Sequence, residues 1–441
     1  MKKGPARRKA SAHFPFTMAF LPLALGFVEK AAAALGFDGP EQVALTLAAE
    51  ELYSYHAARV GRNVDIRLTM EDGGYRILMT LVFRVNNPDM QALNLAFHVD
   101  LNDDAALEML GPMIAARSVS GLSLDFGAED NVVIRLWRER AYEFSPSLTS
   151  EHTQRQGSIR MTAPSSEDLR YFCCLVASGS FEFIPEFLLK GGMAADMLAA
   201  GDLGAILAQD NTSILGGIAW RTLTESCIEI FGPYVFATDP DDEILTALMD
   251  EAVSKISRSS VRGMLRRQGR MPEYTRFFDF LGDIPMIDAS GNPIAFSYYY
   301  RQLKEETGSH TIYSEKMFAN FLRTEYDRFC LPRQIRETDF KIADLREHSV
   351  IAVEFNNRRS IAILRPLCAG RDMRQNIGDH IALMHQQGIF NILFEIDSAR
   401  EEEMMFTSPL MAVGMVPGLI IPDAATGDLV IFFYPPGSAP K

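Results

Sequence analysis

The chain has 441 residues, 47% of them hydrophobic and 23% charged, the balance of a globular protein long enough for two or three domains. A formal net charge of −14 excludes a general nucleic-acid binder, because a phosphate backbone demands a broad basic surface. Five cysteines, odd in number and without a C-x-x-C pair, fit a reducing cytoplasm better than a disulfide framework or a zinc site.

Residues 1–12 are basic and are expected to form a disordered tail. The apolar run from Phe14 to Val28 follows these basic residues in the outline of a signal peptide. Pro15 and Pro22 interrupt it, however, and Glu29-Lys30 separates it from Ala31 to Ala34, so it is read as a first strand and helix. No other segment offers about 18 apolar residues in succession, and no membrane span is expected. A second helix is expected from about Glu41 to Val60, with Pro40 at its start, where a missing N–H does no harm. Two alternating runs, Val64 to Met70 and Tyr75 to Phe83, flank Gly73-Gly74 and predict a hairpin. A helix from about Asp104 to Ala116 and a strand from Val132 to Trp137 complete a first unit over 13–140.

Within that unit, Glu51-Leu52 on the second helix, the hairpin, and Gly121-Leu122-Ser123-Leu124 resemble the ATP site of anti-sigma-factor serine kinases of the GHKL ATPase superfamily. The resemblance implies an α/β sandwich, with Glu51 as general base. The usual magnesium-holding Asn is Tyr55 here, the adenine-reading Asp corresponds to Asn86, and Ser123 stands for the second glycine of the phosphate turn that begins at Gly121. Loss of a glycine removes backbone angles and close approach that only glycine permits. The fold is therefore expected with its ATP chemistry degraded, and Glu50-Glu51 reads equally as plain helix surface.

The polar stretch 141–167 reads as a linker. A second unit over 168–285 shows strands at Ile206 to Gln209, Ile214 to Trp220 and Cys227 to Val235, then a helix to Ser257. With Pro272 to Gly282 these resemble a GNAT acyltransferase, which implies an acyl-CoA site on backbone amides between the third strand and the helix. That loop, Phe236 to Glu243, carries Asp239, Asp241, Asp242 and Glu243 without glycine or base. It caps a helix well and repels a pyrophosphate.

Residues 286–342 are expected to form a connecting arm with a hairpin cue at Ser290 to Pro293 and an amphipathic helix near Ser314 to Asp327. A third unit over 343–437 repeats the GNAT-like plan. Its strand-to-helix turn is basic, with Arg365, Arg371 and Arg374 around Gly370. Three arginines at a helix start suit a phosphate or carboxylate; the alternative is pairing with Asp372, Asp379 and Glu395. His380 and His385, five apart, do not share a helical face, and no metal is expected.

The sequence thus predicts an α+β protein, a GHKL-like α/β sandwich followed by two GNAT-like α/β lobes. The resemblances imply a bacterial, cytoplasmic regulator whose partner is a sigma factor or its antagonist, with a small anionic ligand in a carboxy-terminal lobe. The alternative is an active enzyme, an ATP-dependent serine/threonine kinase or an N-acyltransferase using acyl-CoA. A triphosphate with its metal needs an oxygen ligand that Tyr55 supplies poorly. Calorimetry with Mg-ATP is therefore expected to show no low-micromolar binding; should such binding appear, Glu51→Ala is expected to abolish any phosphotransfer.

Overall fold

The two alternating runs at the start of the chain form a hairpin because their apolar residues fall on one face at a period of two. In the computed structural model, β2 (Asp65–Asp72) and β3 (Arg76–Arg84) pair antiparallel from Ile66 opposite Phe83 to Asp72 opposite Ile77. The structure describes residues 7–437 except 38, 62, 86–89, 97–109, 127–130, 149–156, 182–183, 212, 237–241, 269–275, 289, 306–309, 339–344 and 357–359.

The first sheet runs β1-β2-β3-β5-β4, antiparallel throughout, with β1 (Lys9–Pro15), β4 (Gly121–Phe126) and β5 (Asn131–Glu139). Helices α1 (Leu21–Ala34), α2 (Pro40–Ala57) and α3 (Leu110–Ser118) accompany it. Ile66, Leu68, Met79 and Leu81 meet Val28, Ala32, Leu45, Ala48 and Leu52 in one core. Two expectations are corrected here. The sheet begins at Lys9, so the basic tail is shorter than residues 1–12. Gly121 and Ser123 are not in a phosphate turn but on the edge strand β4, opposite Trp137 and Arg135. The glycine is required because a Cβ at Gly121 would lie 2.0 Å from Cζ2 of Trp137.

The second sheet has seven strands in the order β11-β12-β10-β9-β8-β7-β6. They are β6 (Arg160–Thr162), β7 (Leu203–Gln209), β8 (Ile214–Thr222), β9 (Cys227–Val235), β10 (Gly263–Gln268), β11 (Asp279–Ile287) and β12 (Pro293–Gln302). Only β9 and β10 pair in parallel, and the crossover between them is α7 (Asp242–Ser257). Helices α4 (Ser166–Ser178), α5 (Glu186–Leu189) and α6 (Gly191–Ala200) join β6 to β7. A reciprocal cap starts α4: Ser165 accepts from the Asp168 N–H while Asp168 accepts from the Ser165 N–H.

The boundaries of this unit also move. The stretch read as a linker contributes β6. Its first residues are pinned down: the Ala141 N–H donates to Glu41 Oε1 at 3.0 Å, Tyr142 to Asp196 at 2.6 Å and the Ser145 N–H to Leu189 O at 2.7 Å. Polar composition misled because the few apolar residues, Tyr142, Ile159 and Met161, pack on the cores of the second unit while hydrogen bonds hold the rest. The start of the supposed arm likewise supplies the end of β11 and all of β12, the last strands of the second sheet.

The rest of the arm forms the parallel pair β13 (His310–Ser314) and β14 (Arg333–Glu337) around α8 (Ala319–Arg328). The third sheet follows in the order β15-β16-β17-β19-β18: β15 (Val350–Asn356), β16 (Ile361–Cys368), β17 (Asn391–Asp397), β18 (Val416–Ile421) and β19 (Leu429–Phe433). Helix α9 (Met373–Gln386) crosses from β16 to its parallel neighbour β17, and α10 (Glu401–Met404) and α11 (Thr407–Ala412) follow. One face of this sheet packs on α8, α9 and α11. Its other face, through Ile361, Leu393, Leu419 and Ile431, shares a core with Leu265, Ile284, Phe296 and Tyr298 of the second sheet.

A buried amide ties the first unit to the third. Asn94 donates to Ser349 O at 2.8 Å and accepts from the Ile351 N–H at 2.8 Å and from Asn376 Nδ2 at 3.1 Å. Replacing Asn94 with Ala strands the Ile351 N–H out of reach of water, which costs about 1–3 kcal/mol. Asn94→Ala is expected to lower the urea unfolding midpoint accordingly. An unchanged midpoint would show that the amide contributes nothing.

Candidate functional site

In both carboxy-terminal lobes a pair of parallel strands opens into a cleft. Strands β9 and β10 are paired from Cys227–Gly263 to Glu229–Leu265 and part beyond that point. Strands β16 and β17 are paired from Ile361–Asn391 to Leu364–Phe394 and part likewise. Parted strands present backbone N–H and C=O groups that need partners.

The chain itself fills the cleft of the third lobe. Glu402 on α10 accepts from the Ala369 N–H, on the β16 side, at 2.9 Å. Its neighbour Glu403 accepts from the Asp397 N–H, on the β17 side, also at 2.9 Å. The helix-start turn is closed as well. The Arg371 N–H donates to Arg346 O at 2.9 Å, and a Cβ on Gly370 would sit 2.2 Å from the Ser349 nitrogen. Gly370 is therefore glycine because its own chain crosses it, rather than to admit a ligand. Burial is the largest influence on Glu403 and pushes its pKa up to about 7 despite the hydrogen bond from Asp397 and the charge of Arg400.

The three arginines of the expected anion site are not brought together. Arg365 lies on β16 rather than in the turn, on the face turned away from α9. It pairs with Glu395 at 2.7 Å, as the alternative reading expected, and with Glu354 at 2.6 Å. Arg371 and Arg374 are exposed at the start of α9. Asp372 accepts from the Ser349 N–H at 2.6 Å and from His348 Nδ1 at 3.1 Å.

In the first unit, Tyr55 is buried and its ring lies under the Arg59 guanidinium, 3.9 Å from the centroid. Glu51 faces α3, where a Cβ on Gly111 would meet its Oε2 at 2.7 Å. Burial, then the charge of Glu50, raises its pKa. Asn86, Asp239 and Asp241 lie outside the described residues, and Asp242 pairs with Arg276 at 3.3 Å.

Sequence reasoning missed an arginine–glutamate ladder where the second and third sheets meet, buried at Glu229 and Glu395 and more exposed at its ends, Arg221 and Arg365. Arg267 on β10 grips Glu229 on β9 with two bonds of 2.6 and 2.8 Å, and Arg221 adds a third at 2.9 Å. Arg267 also lies 4.0 Å from Glu395, the partner of Arg365. Burial alone would raise the Glu229 pKa, but Arg267 and then Arg221 outweigh it and hold the group at about 2. A carboxylate so firmly ionised and so fully occupied is not a general base at neutral pH. Nothing in the spacing of these residues marks them, since their partners lie up to 128 positions away, as Glu395 does from Arg267.

No family model and no curated protein matches the chain. Solved structures of GNAT acetyltransferases are similar to about a third of it. A putative GNAT-family acetyltransferase from Desulfovibrio desulfuricans shows 16% identity over 33% of this chain and 100% of its own, with a TM-score of 0.28. An N-acetyltransferase from Staphylococcus aureus gives 14%, 34%, 100% and 0.29. A putative acetyltransferase from Salmonella typhimurium, solved with its cofactor acetyl-CoA, gives 10%, 34%, 98% and 0.30. Likeness of this grade assigns neither activity nor ligand to this chain, and the GHKL reading of the first unit gains nothing from it. Among the described residues no helix is long and apolar enough to cross a membrane.

Two pH dependences follow. The folded pKa of Glu229, about 2, lies below its ordinary 4.5, so its stabilisation is present above pH 4.5 and lost as pH falls through 2. Urea midpoints of Glu229→Gln should therefore fall less steeply than the parent's across that window. For Glu403 the shift is upward, so the folded state is disfavoured as pH rises from 4.5 through about 7. Glu403→Gln, which retains an acceptor oxygen, is expected to flatten the decline between pH 4.5 and about 7; a parallel decline would refute the buried-carboxyl account.

Proposed function

We propose that this protein is a regulator that acts by binding a partner, with little or no catalysis of its own. The observation that carries the reading is the double plug of Glu402 and Glu403, which occupies both sides of the third lobe's cleft. Tyr55 under Arg59 supports it in the first unit, at the position where the GHKL resemblance calls for a metal-holding amide. That unit keeps the helix–helix–hairpin–helix–strand order the resemblance implies. On this reading it is a GHKL-like domain that has kept its shape and lost its reaction, and the partner is of the sigma-factor or antagonist type.

A second reading is favoured by one observation. The parallel pairing of β9 with β10 ends at Glu229–Leu265, and strands that part in this way suit an extended, amide-bearing chain such as the pantetheine arm of an acyl-CoA. On that reading the second lobe binds acyl-CoA, and the N-acyltransferase alternative stands there rather than in the third lobe.

Native mass spectrometry of the purified protein, followed by calorimetry with acetyl-CoA and Mg-ATP, separates the two. The regulator reading expects no co-purifying nucleotide or CoA and no dissociation constant tighter than about 1 mM. Micromolar acetyl-CoA binding unaffected by Glu402→Ala would move the assignment to the second lobe. Turnover of either compound in the presence of an acceptor would overturn the regulator reading.

A further inference from the structure

At the far edge of the second sheet from the β9–β10 cleft, a cavity of about 320 Å³ opens between strand β6 and the last turns of α7. Its volume lies within the range of small-molecule sites. Met161, from the edge strand, and the buried Ile206 of β7 supply apolar lining. Glu251, Lys255 and Arg258, at successive turns of and just beyond α7, supply the rim.

The two cations are the unusual part. In a chain of net charge −14, neither Lys255 nor Arg258 makes an ion pair among the described residues. The Lys255 ammonium instead lies over the Trp220 ring, 5.5 Å from its centroid, and Arg258 donates to Ser254 Oγ at 3.3 Å. Cations near a helix C-terminus offset its dipole, which alone accounts for their place in the sequence. It does not account for their convergence on a cavity that Met161 and Ile206 also line.

We propose that this cavity binds an amphipathic monocarboxylate. The carboxylate sits between Lys255 and Arg258, and a short apolar body lies against Met161 and Ile206. With one carboxylate among three charged groups the rim carries a net charge of about +1, by the ordinary ionisation of these side chains. That balance matches a monoanion, and Glu251 repels dianions such as phosphate. Thr162 Oγ1 donates to Gln209 Oε1 at 3.0 Å, so its own hydrogen is already committed and the two cations alone hold the anion.

The test uses the full-length protein and hexanoate as probe, followed by amide chemical shifts or calorimetry. Hexanoate is expected to saturate, and each methylene removed on the way to acetate should weaken binding about fourfold. Lys255→Gln and Arg258→Gln should each weaken it about tenfold or more, as expected for a lost charge-assisted bond. Both positions are solvent-facing, and circular dichroism checks that the variants fold. The proposal is overturned if hexanoate fails to bind at about 10 mM, if hexylamine binds equally well, or if both variants bind as the parent does.

Discussion

The third sheet depends on the second for half of its burial. Five strands with helices on one face alone would leave the other face in water, and a sheet exposing Ile361, Leu393, Leu419 and Ile431 together does not stay monomeric and soluble. Face-to-face packing on Leu265, Ile284, Phe296 and Tyr298 removes that face. It also sets the chemistry of the junction. Charges caught between two sheets must be paired, and the run from Glu229 through Arg267 and Glu395 to Arg365 alternates in sign for that reason. A ladder of this kind stabilises less than apolar packing would. Its sharper effect is on register, since a slip of one residue in β16 would turn Arg365 to the opposite face and leave Glu395 without it.

The same dependence explains why the clefts of the two lobes differ. The second lobe has helices α4 to α6 over β7 and β8, and α7 on the opposite face, so its parted strands need no further support. Among the described residues the third lobe has no counterpart of the first three, and the segment after β17 turns back over its own strands. Once there, α10 places two glutamates where backbone N–H groups wait. Closing the cleft and completing the small lobe are one structural act, which is why the plug is better understood as scaffolding than as a gate.

Much of the architecture was legible in the sequence because it rests on local rules. The alternation of Ile77, Met79, Leu81 and Phe83, the Pro40 helix start, and the strands at Ile214 and Cys227 all appear near where periodicity and turn chemistry put them. The errors share a cause. Gly121 looked like a phosphate turn because glycine's role was inferred from a ligand, when the neighbour it admits is Trp137 on the next strand. Gly370 misled in the same manner, with His348 and Ser349 as the crossing chain. Arg365 was placed in the strand-to-helix turn, yet β16 runs on through Arg365 and Pro366 to Cys368, with an irregular point in its pairing with β15. Non-local partners decide each case, and a sequence does not display them.

Asn94 carries an implication for how the protein is made. Its hydrogen-bond partner Ser349 lies 255 residues downstream, so the amide waits while the whole second unit is synthesised. At ribosomal speeds the interval is about 13–50 s, far longer than a small domain takes to fold. The first unit therefore spends its early life with an unfinished docking surface, one that solvent or a chaperone must cover. The nascent chain and the mature protein do not present the same face to the cell.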